Sequence, residues 1–123
     1  MLKTLGLRHV ALYVQKLEEC RDFYTEILGM TIDWQPDPDN IYLSAHQDNL
    51  ALHRAKTETA AAGQRLDHLG FAIANPEEVD EWHDFCVSKN VKILAKPKTH
   101  RDGTRSFYCA DPDGTVVQMI FLK

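Results

Sequence analysis

Two stretches decide the reading of this chain: RHVALYV, residues 8–14, and DHLGFAI, residues 67–73. Each sets one histidine, His9 or His68, ahead of an alternating apolar run, the period-two pattern of a strand with one buried face. In the first, Val10, Leu12 and Val14 share a face, leaving His9, Ala11 and Tyr13 on the other. In the second, Leu69, Phe71 and Ile73 form the apolar row and His68 falls on the opposite parity.

Working outward, each stretch opens a unit of the same order: strand, helix, three strands. After RHVALYV the segment LEECRDFYTEILG carries Leu17, Cys20, Phe23, Tyr24, Ile27 and Leu28 at helical spacing, with Gly29 placed to end the helix in a left-handed conformation. Strands are expected at Met30–Trp34, Ile41–Ser44 and Leu50–Arg54, separated by the turn-rich PDPDN and AHQDN. The second unit runs from Leu69–Ala74 into a helix signalled by Asn75 as N-cap, Pro76 at its first position and Glu78 in a capping box, with Val79, Trp82, Phe85 and Cys86 as its buried stripe. Asn90 caps its end. Strands follow at Val91–Leu94, Ser106–Ala110 and Thr115–Leu122, the last two joined by the DPDG turn. About 60 residues is marginal for independent folding, so residues 1–123 are expected to form a single domain, with module one at 5–57 and module two at 64–123. The polar, Ala/Gly-rich KTETAAAGQR, residues 56–65, connects them.

Composition narrows the function. A net charge of -4 and no basic cluster beyond KPKTHR offer nothing to hold a phosphate backbone over several contacts, so no nucleic acid is expected. No apolar run approaches the roughly 20 residues of a membrane span, and the first residues interleave polar with apolar side chains. The expectation is a cytoplasmic protein with no membrane partner. The three cysteines, Cys20, Cys86 and Cys109, are far apart and outside any C-x-x-C spacing, so they read as small buried hydrophobes.

With both modules laid out, RHVALYVQKLEECRDFYTEILGM (8–30), LDHLGFAI (66–73) and RSFYCADPDGTVVQMIF (105–121) resemble the vicinal oxygen chelate superfamily, which holds glyoxalase I, bleomycin-resistance proteins and extradiol dioxygenases. The resemblance implies an α+β fold of two tandem βαβββ modules, a curled mixed-sheet cup with helices outside, and a homodimer. It also implies one divalent transition metal per site (Zn, Mn, Fe, Ni or Co), held at positions that fall here on His9, Ala51, His68 and Gln118. The two histidines match that pattern; Ala51 cannot ligate, and Gln118 offers a carboxamide oxygen where the family generally has Glu. The metal set the resemblance implies is therefore His9, His68 and Gln118.

Strand parity is an independent test. The apolar rows Val10/Leu12/Val14, Leu50/Leu52, Leu69/Phe71/Ile73 and Val117/Met119/Phe121 leave His9, Ala51, His53, His68 and Gln118 on the opposite faces. His53, two residues beyond Ala51, is the candidate catalytic residue, as a replacement ligand or a general base. Tyr13, Ala51, His100, Arg105 and Tyr108 are the candidate substrate-binding residues. The segment Ala95–Thr104, read as a loop, offers Lys96, Lys98, His100 and Arg101, with nearby Arg105, for an anionic group. His46 and His83 are assigned no role, the latter on the exposed side of its helix. Asp111 and Asp113 in DPDG cap backbone amides. The function expected is that of a glyoxalase- or dioxygenase-like metalloenzyme acting on a small substrate that chelates the metal through adjacent oxygens. The alternative is a metal-free protein of the bleomycin-resistance type that sequesters a small molecule.

Overall fold

A computed structural model describes residues 1–58 and 64–123, so the middle of the 56–65 connector lies outside the described residues. The chain divides into two compact units, Met1–Thr59 and Ala60–Lys123.

The first unit runs β1 (His9–Val14), α1 (Leu17–Asp22) with a wide π turn at Phe23–Ile27, β2 (Thr31–Asp37), β3 (Asn40–Ser44) and β4 (Asn49–Arg54). Its mixed sheet has the order β1-β4-β3-β2, with β1 and β4 parallel and the other neighbours antiparallel. Leu17, Cys20, Phe23, Tyr24 and Leu28 are buried as the periodicity predicts. The helix is not uniform, however: the Leu28 amide donates to the Phe23 carbonyl five residues back, and the Thr25 hydroxyl donates to the Arg21 carbonyl. This extra residue in the turn lets the adjacent bulky Phe23 and Tyr24 both face inward, something a 3.6-residue template does not anticipate. Gly29 closes the element at φ 79°.

The second unit repeats the plan: β5 (Leu69–Ala72), α2 (Pro76–Ser88), β6 (Lys92–Thr99), β7 (Arg105–Ala110) and β8 (Val116–Phe121), in the order β5-β8-β7-β6. The Asn75 side chain accepts from the Glu78 amide at 2.9 Å, a cap worth about 1 kcal/mol, and Asn90 takes the left-handed conformation at φ 60°. The edge strands β2 and β6 each carry two bulges at matching spacing, Ile32/Trp34 and Trp34/Asp37 in β2, Ile93/Ala95 and Ala95/Lys98 in β6. Bulged edges resist further strand pairing.

Three expectations are corrected here. Residues Ala95–Thr99 continue β6 instead of opening a loop, because the bulges let a strand containing Pro97 stay paired along the sheet edge. On α2, Val79 and Cys86 are fully buried, whereas Phe85 is 38% exposed and packs edge-on against the half-buried Trp82. His83 occupies the inward position instead, its ring edge-on to Phe107 at 5.5 Å. All three cysteines are buried thiols outside any disulfide. The hydrogen bond from Cys86, with burial, pushes the Cys109 thiol well above its ordinary range, so it stays protonated.

Candidate functional site

In each unit the helix covers one face of the sheet, and the other face collects the polar and aromatic side chains. Parallel pairing sets Gly70 against Gln118, and Leu69 against Val117, so His68 lies two residues from the Gln118 level. In the first unit His9 pairs with Asn49, which puts Ala51 at the place corresponding to Gln118. Tyr108 pairs with Gln118 as Tyr42 pairs with Ala51. The two halves thus present the same layout, with a donor at Gln118 and only a methyl group at Ala51. Ala51 is also fully buried.

The second unit holds a connected polar cluster. Gln118 is 8% exposed, and its Nε2 donates to Ser106 Oγ and to the Tyr108 hydroxyl, each at 3.0 Å. Ser106 Oγ lies 2.9 Å from His100 Nε2. The Tyr108 ring meets the His68 ring edge-on at 5.5 Å. His68 Nδ1 is 2.7 Å from Asp67 Oδ2; a carboxylate only accepts, so Nδ1 carries the proton and Nε2 is the free nitrogen. His9 Nδ1 likewise meets Asn49 Oδ1 at 2.7 Å. A cleft of about 750 Å³ opens here, bounded by Lys98, Thr99, His100, Arg101, Tyr108 and Gln118 among others.

The first unit holds a different cluster around His53. Asn40 Nδ2 donates to both oxygens of Asp37, at 2.9 and 3.0 Å, and these bonds with that of the Asp39 amide hold the Asp37 carboxyl below its ordinary range. Because an ionised carboxylate fixes the amide end of Asn40, Oδ1 must face His53 Nδ1, 2.6 Å away. His53 is therefore protonated at Nδ1 when neutral, with Nε2 available to accept a proton. Its ring lies against Tyr42 and Tyr13, whose centroids are 5.8 and 6.1 Å away, and Trp34 stacks on Tyr42 at 5.1 Å. Tyr13, Asp37, Asn40, His53 and Lys56 help line a cleft of about 540 Å³.

Two predicted roles change. His53 pairs with Tyr13, four residues beyond His9 along the parallel pair, or about 13 Å at 3.3 Å per residue. Side chains stand off the sheet roughly in parallel, and two donors on one ion lie within roughly 4 Å of each other. His53 cannot stand in for Ala51 as a ligand beside His9. Arg105 sits on the helix side of β7, one residue out of parity with Ser106 and Tyr108. Its guanidinium bonds Asp80 through Nε and Nη2 at 2.9 and 2.7 Å, and Thr99 through Nη1 at 2.9 Å. It fastens α2 to the sheet and faces away from the cleft.

Tyr108 and His100 do join the Gln118 cluster, whereas Tyr13, 72% exposed, belongs with His53. Among the described residues no three His, Cys, Asp or Glu side chains form a metal-holding group. Sequence reading missed Ser106, Asn40, Asn49 and Asp37. Ser106 was legible from parity, two residues before Tyr108; the others stand in segments that read as turns.

Comparison with known proteins gives the same fold. A metapyrocatechase of Geobacillus stearothermophilus is 35% identical over 74 residues, 60% of this chain and 22% of that protein, so the chain spans about a fifth of this relative's length. An integron cassette protein from the Halifax Harbour sewage outfall metagenome superposes with a TM-score of 0.82 at 25% identity, covering 97% of this chain and 100% of that one. A lactoylglutathione lyase from Agrobacterium tumefaciens gives 0.80 at 19% identity, covering 96% and 94%. A family model matches residues 6–119, and with it the chain belongs to the Glyoxalase/Bleomycin resistance protein/Dioxygenase superfamily.

Proposed function

We propose that the protein is a metal-dependent enzyme whose small substrate binds through two adjacent oxygens, with His9, His68 and Gln118 as the protein's donors to a divalent first-row ion (Zn, Mn, Fe, Ni or Co). The observation that carries this reading is that each donor has its other polar end already occupied. Asn49 and Asp67 hold Nδ1 of the two histidines, and two hydroxyls hold Nε2 of Gln118, which leaves Nε2, Nε2 and Oε1 as the atoms without a hydrogen-bond partner among the described residues. A neighbouring oxygen that fixes the tautomer is the usual support of a ligating imidazole. When bound, such an ion supplies Lewis-acid polarisation of a coordinated oxygen.

The chain's own groups do the rest. Three neutral donors leave the charge of the ion uncompensated, which favours an anionic substrate, and Lys98 and Arg101 beside Tyr108 add positive charge to the same cleft. Tyr108 accepts from Gln118 and keeps its own hydrogen to give to a substrate oxygen. We assign His53, its Nδ1 tied through Asn40 to Asp37, as a proton acceptor for the part of a substrate that extends from the ion into the Tyr13 cleft. The metapyrocatechase match makes a catechol-type diol the first substrate to test. A homodimer is the assembly we assign to this reading.

A second reading rests on Ala51 and Gln118, which remove the carboxylates from both halves: a metal-free binding protein. Calorimetry separates the two, with catechol and a 2-hydroxy acid titrated into protein loaded with Mn, Co, Zn, Ni or Fe(II) and into protein stripped with a chelator. Binding that needs the metal supports the enzyme; equal binding to the stripped protein supports sequestration.

A further inference from the structure

We propose that His100 and Ser106 are positioning residues that decide which end of the Gln118 carboxamide is free, turning Nε2 inward to Ser106 and Tyr108 and Oε1 away from them to the Gly70 side. The inference rests on Gln118 being a metal donor. An amide poses a problem that a carboxylate at this place would not: its two ends have the same shape and opposite chemistry, and only the oxygen binds a cation.

Hydroxyls alone do not settle the choice, since each can donate to Oε1 as readily as accept from Nε2. What settles it is where the hydroxyl hydrogen goes. Ser106 is 1% exposed, and its Oγ has two partners, Gln118 Nε2 at 3.0 Å and His100 Nε2 at 2.9 Å. A buried hydroxyl hydrogen requires an acceptor, and the relay takes that acceptor to be a bare His100 Nε2, in a ring that carries its proton on Nδ1. Ser106 then has only a lone pair to offer Gln118. Flipping the amide would set Oε1 against that lone pair and lose the bond, whereas the observed orientation satisfies both Nε2 hydrogens, the second through Tyr108. Oε1 is left beside Gly70, where even an added Cβ would lie 4.0 Å away. The chain His100, Ser106, Gln118 thus relays a direction, with no charge moved and no bond to the ion except from Gln118.

Two measurements test this. In histidine-15N-labelled protein without metal, the His100 resonances, assigned by their loss in His100→Ala, are expected to show a bare Nε2 and a protonated Nδ1 in the neutral ring. The second is a cobalt(II) titration of four proteins: the parent, His100→Lys, Gln118→Glu and the double variant. Lysine can only donate to Ser106, which sends the Ser106 hydrogen toward Gln118 and turns Oε1 inward. His100→Lys is expected to weaken cobalt binding by about fivefold to tenfold more in the parent background than in the Gln118→Glu background, where only the added charge acts. A proton on Nε2 of the neutral ring, or the same change in both backgrounds, overturns the relay. If neither the parent nor Gln118→Glu binds cobalt, the donor reading itself falls, even where the nitrogen shifts are as expected.

Discussion

Replacing Asp111 with alanine probes the turn that launches β8 and so sets the level of Gln118. Asp111 is 4% exposed, and one oxygen, Oδ1, accepts from the amides of Asp113 and Thr115, both at 2.9 Å. Hydrogen bonds to a charged group contribute about 1.5–3 kcal/mol each. Asp113 and Thr115 are only half-buried, so water recovers part of the loss, and the main-chain bonds from Asp111 to Thr115 and from Gly114 to Asp111 remain. The expected net cost is about 2–4 kcal/mol, or a fall in Tm of about 8–16 °C at about 4 °C per kcal/mol for a chain of this size. Asp111→Asn keeps an acceptor oxygen without its charge and should lose about half as much. Thermal unfolding followed by circular dichroism, with urea titrations alongside, reads both variants. An alanine variant within about 2 °C of the parent, less than the shift expected for even 1 kcal/mol, or an asparagine variant as unstable as alanine, would refute the account of this turn.

Other outcomes follow from the same geometry. Asp67→Ala removes the acceptor that sets the His68 tautomer and should weaken metal binding by about tenfold, whereas Asp67→Asn, which keeps an oxygen of the kind Asn49 offers His9, should stay close to the parent; metal titration reads both, with the fold monitored by circular dichroism. His53→Ala should leave metal affinity within about twofold of the parent, in contrast to His9→Ala, because His53 lies at the Tyr13 level; a large loss would place it among the ligands after all. Arg105 holds the Asp80 carboxyl below its ordinary value of 3.8, so this pair contributes stability above about pH 4 that is lost as pH falls through the lowered value. With Asp80 48% exposed the contribution is under about 1 kcal/mol, and Asp80→Asn should flatten the acid limb of urea-unfolding stability below about pH 4.

Much of the architecture was legible because it rests on local pattern. Alternation in RHVALYV and LGFAI, the Asn75-Pro76 start of α2 and the DPDG turn each encode their own geometry. The two histidines and Gln118 were legible for the same reason, since strand parity carries them to one face of their sheets. What escaped depends on partners distant in sequence. Arg105 looked like an anion contact until Asp80, 25 residues earlier, was found to hold it. Asn40 and Asn49 read as turn residues, yet each begins a strand and fixes an imidazole. His53 shares parity with Ala51 but not its level, and only the pairing of β1 with β4 reveals the difference.

The central claim is that three neutral donors hold a divalent ion. Its most direct test is the metal content of protein purified without chelator, measured by plasma mass spectrometry for the parent, His9→Ala, His68→Ala and Gln118→Glu. The account predicts close to one first-row divalent ion per chain in the parent, loss in both histidine variants, and retention or tighter binding in Gln118→Glu. A parent that carries no metal and takes up none of added Zn, Mn, Ni, Co or Fe would contradict it.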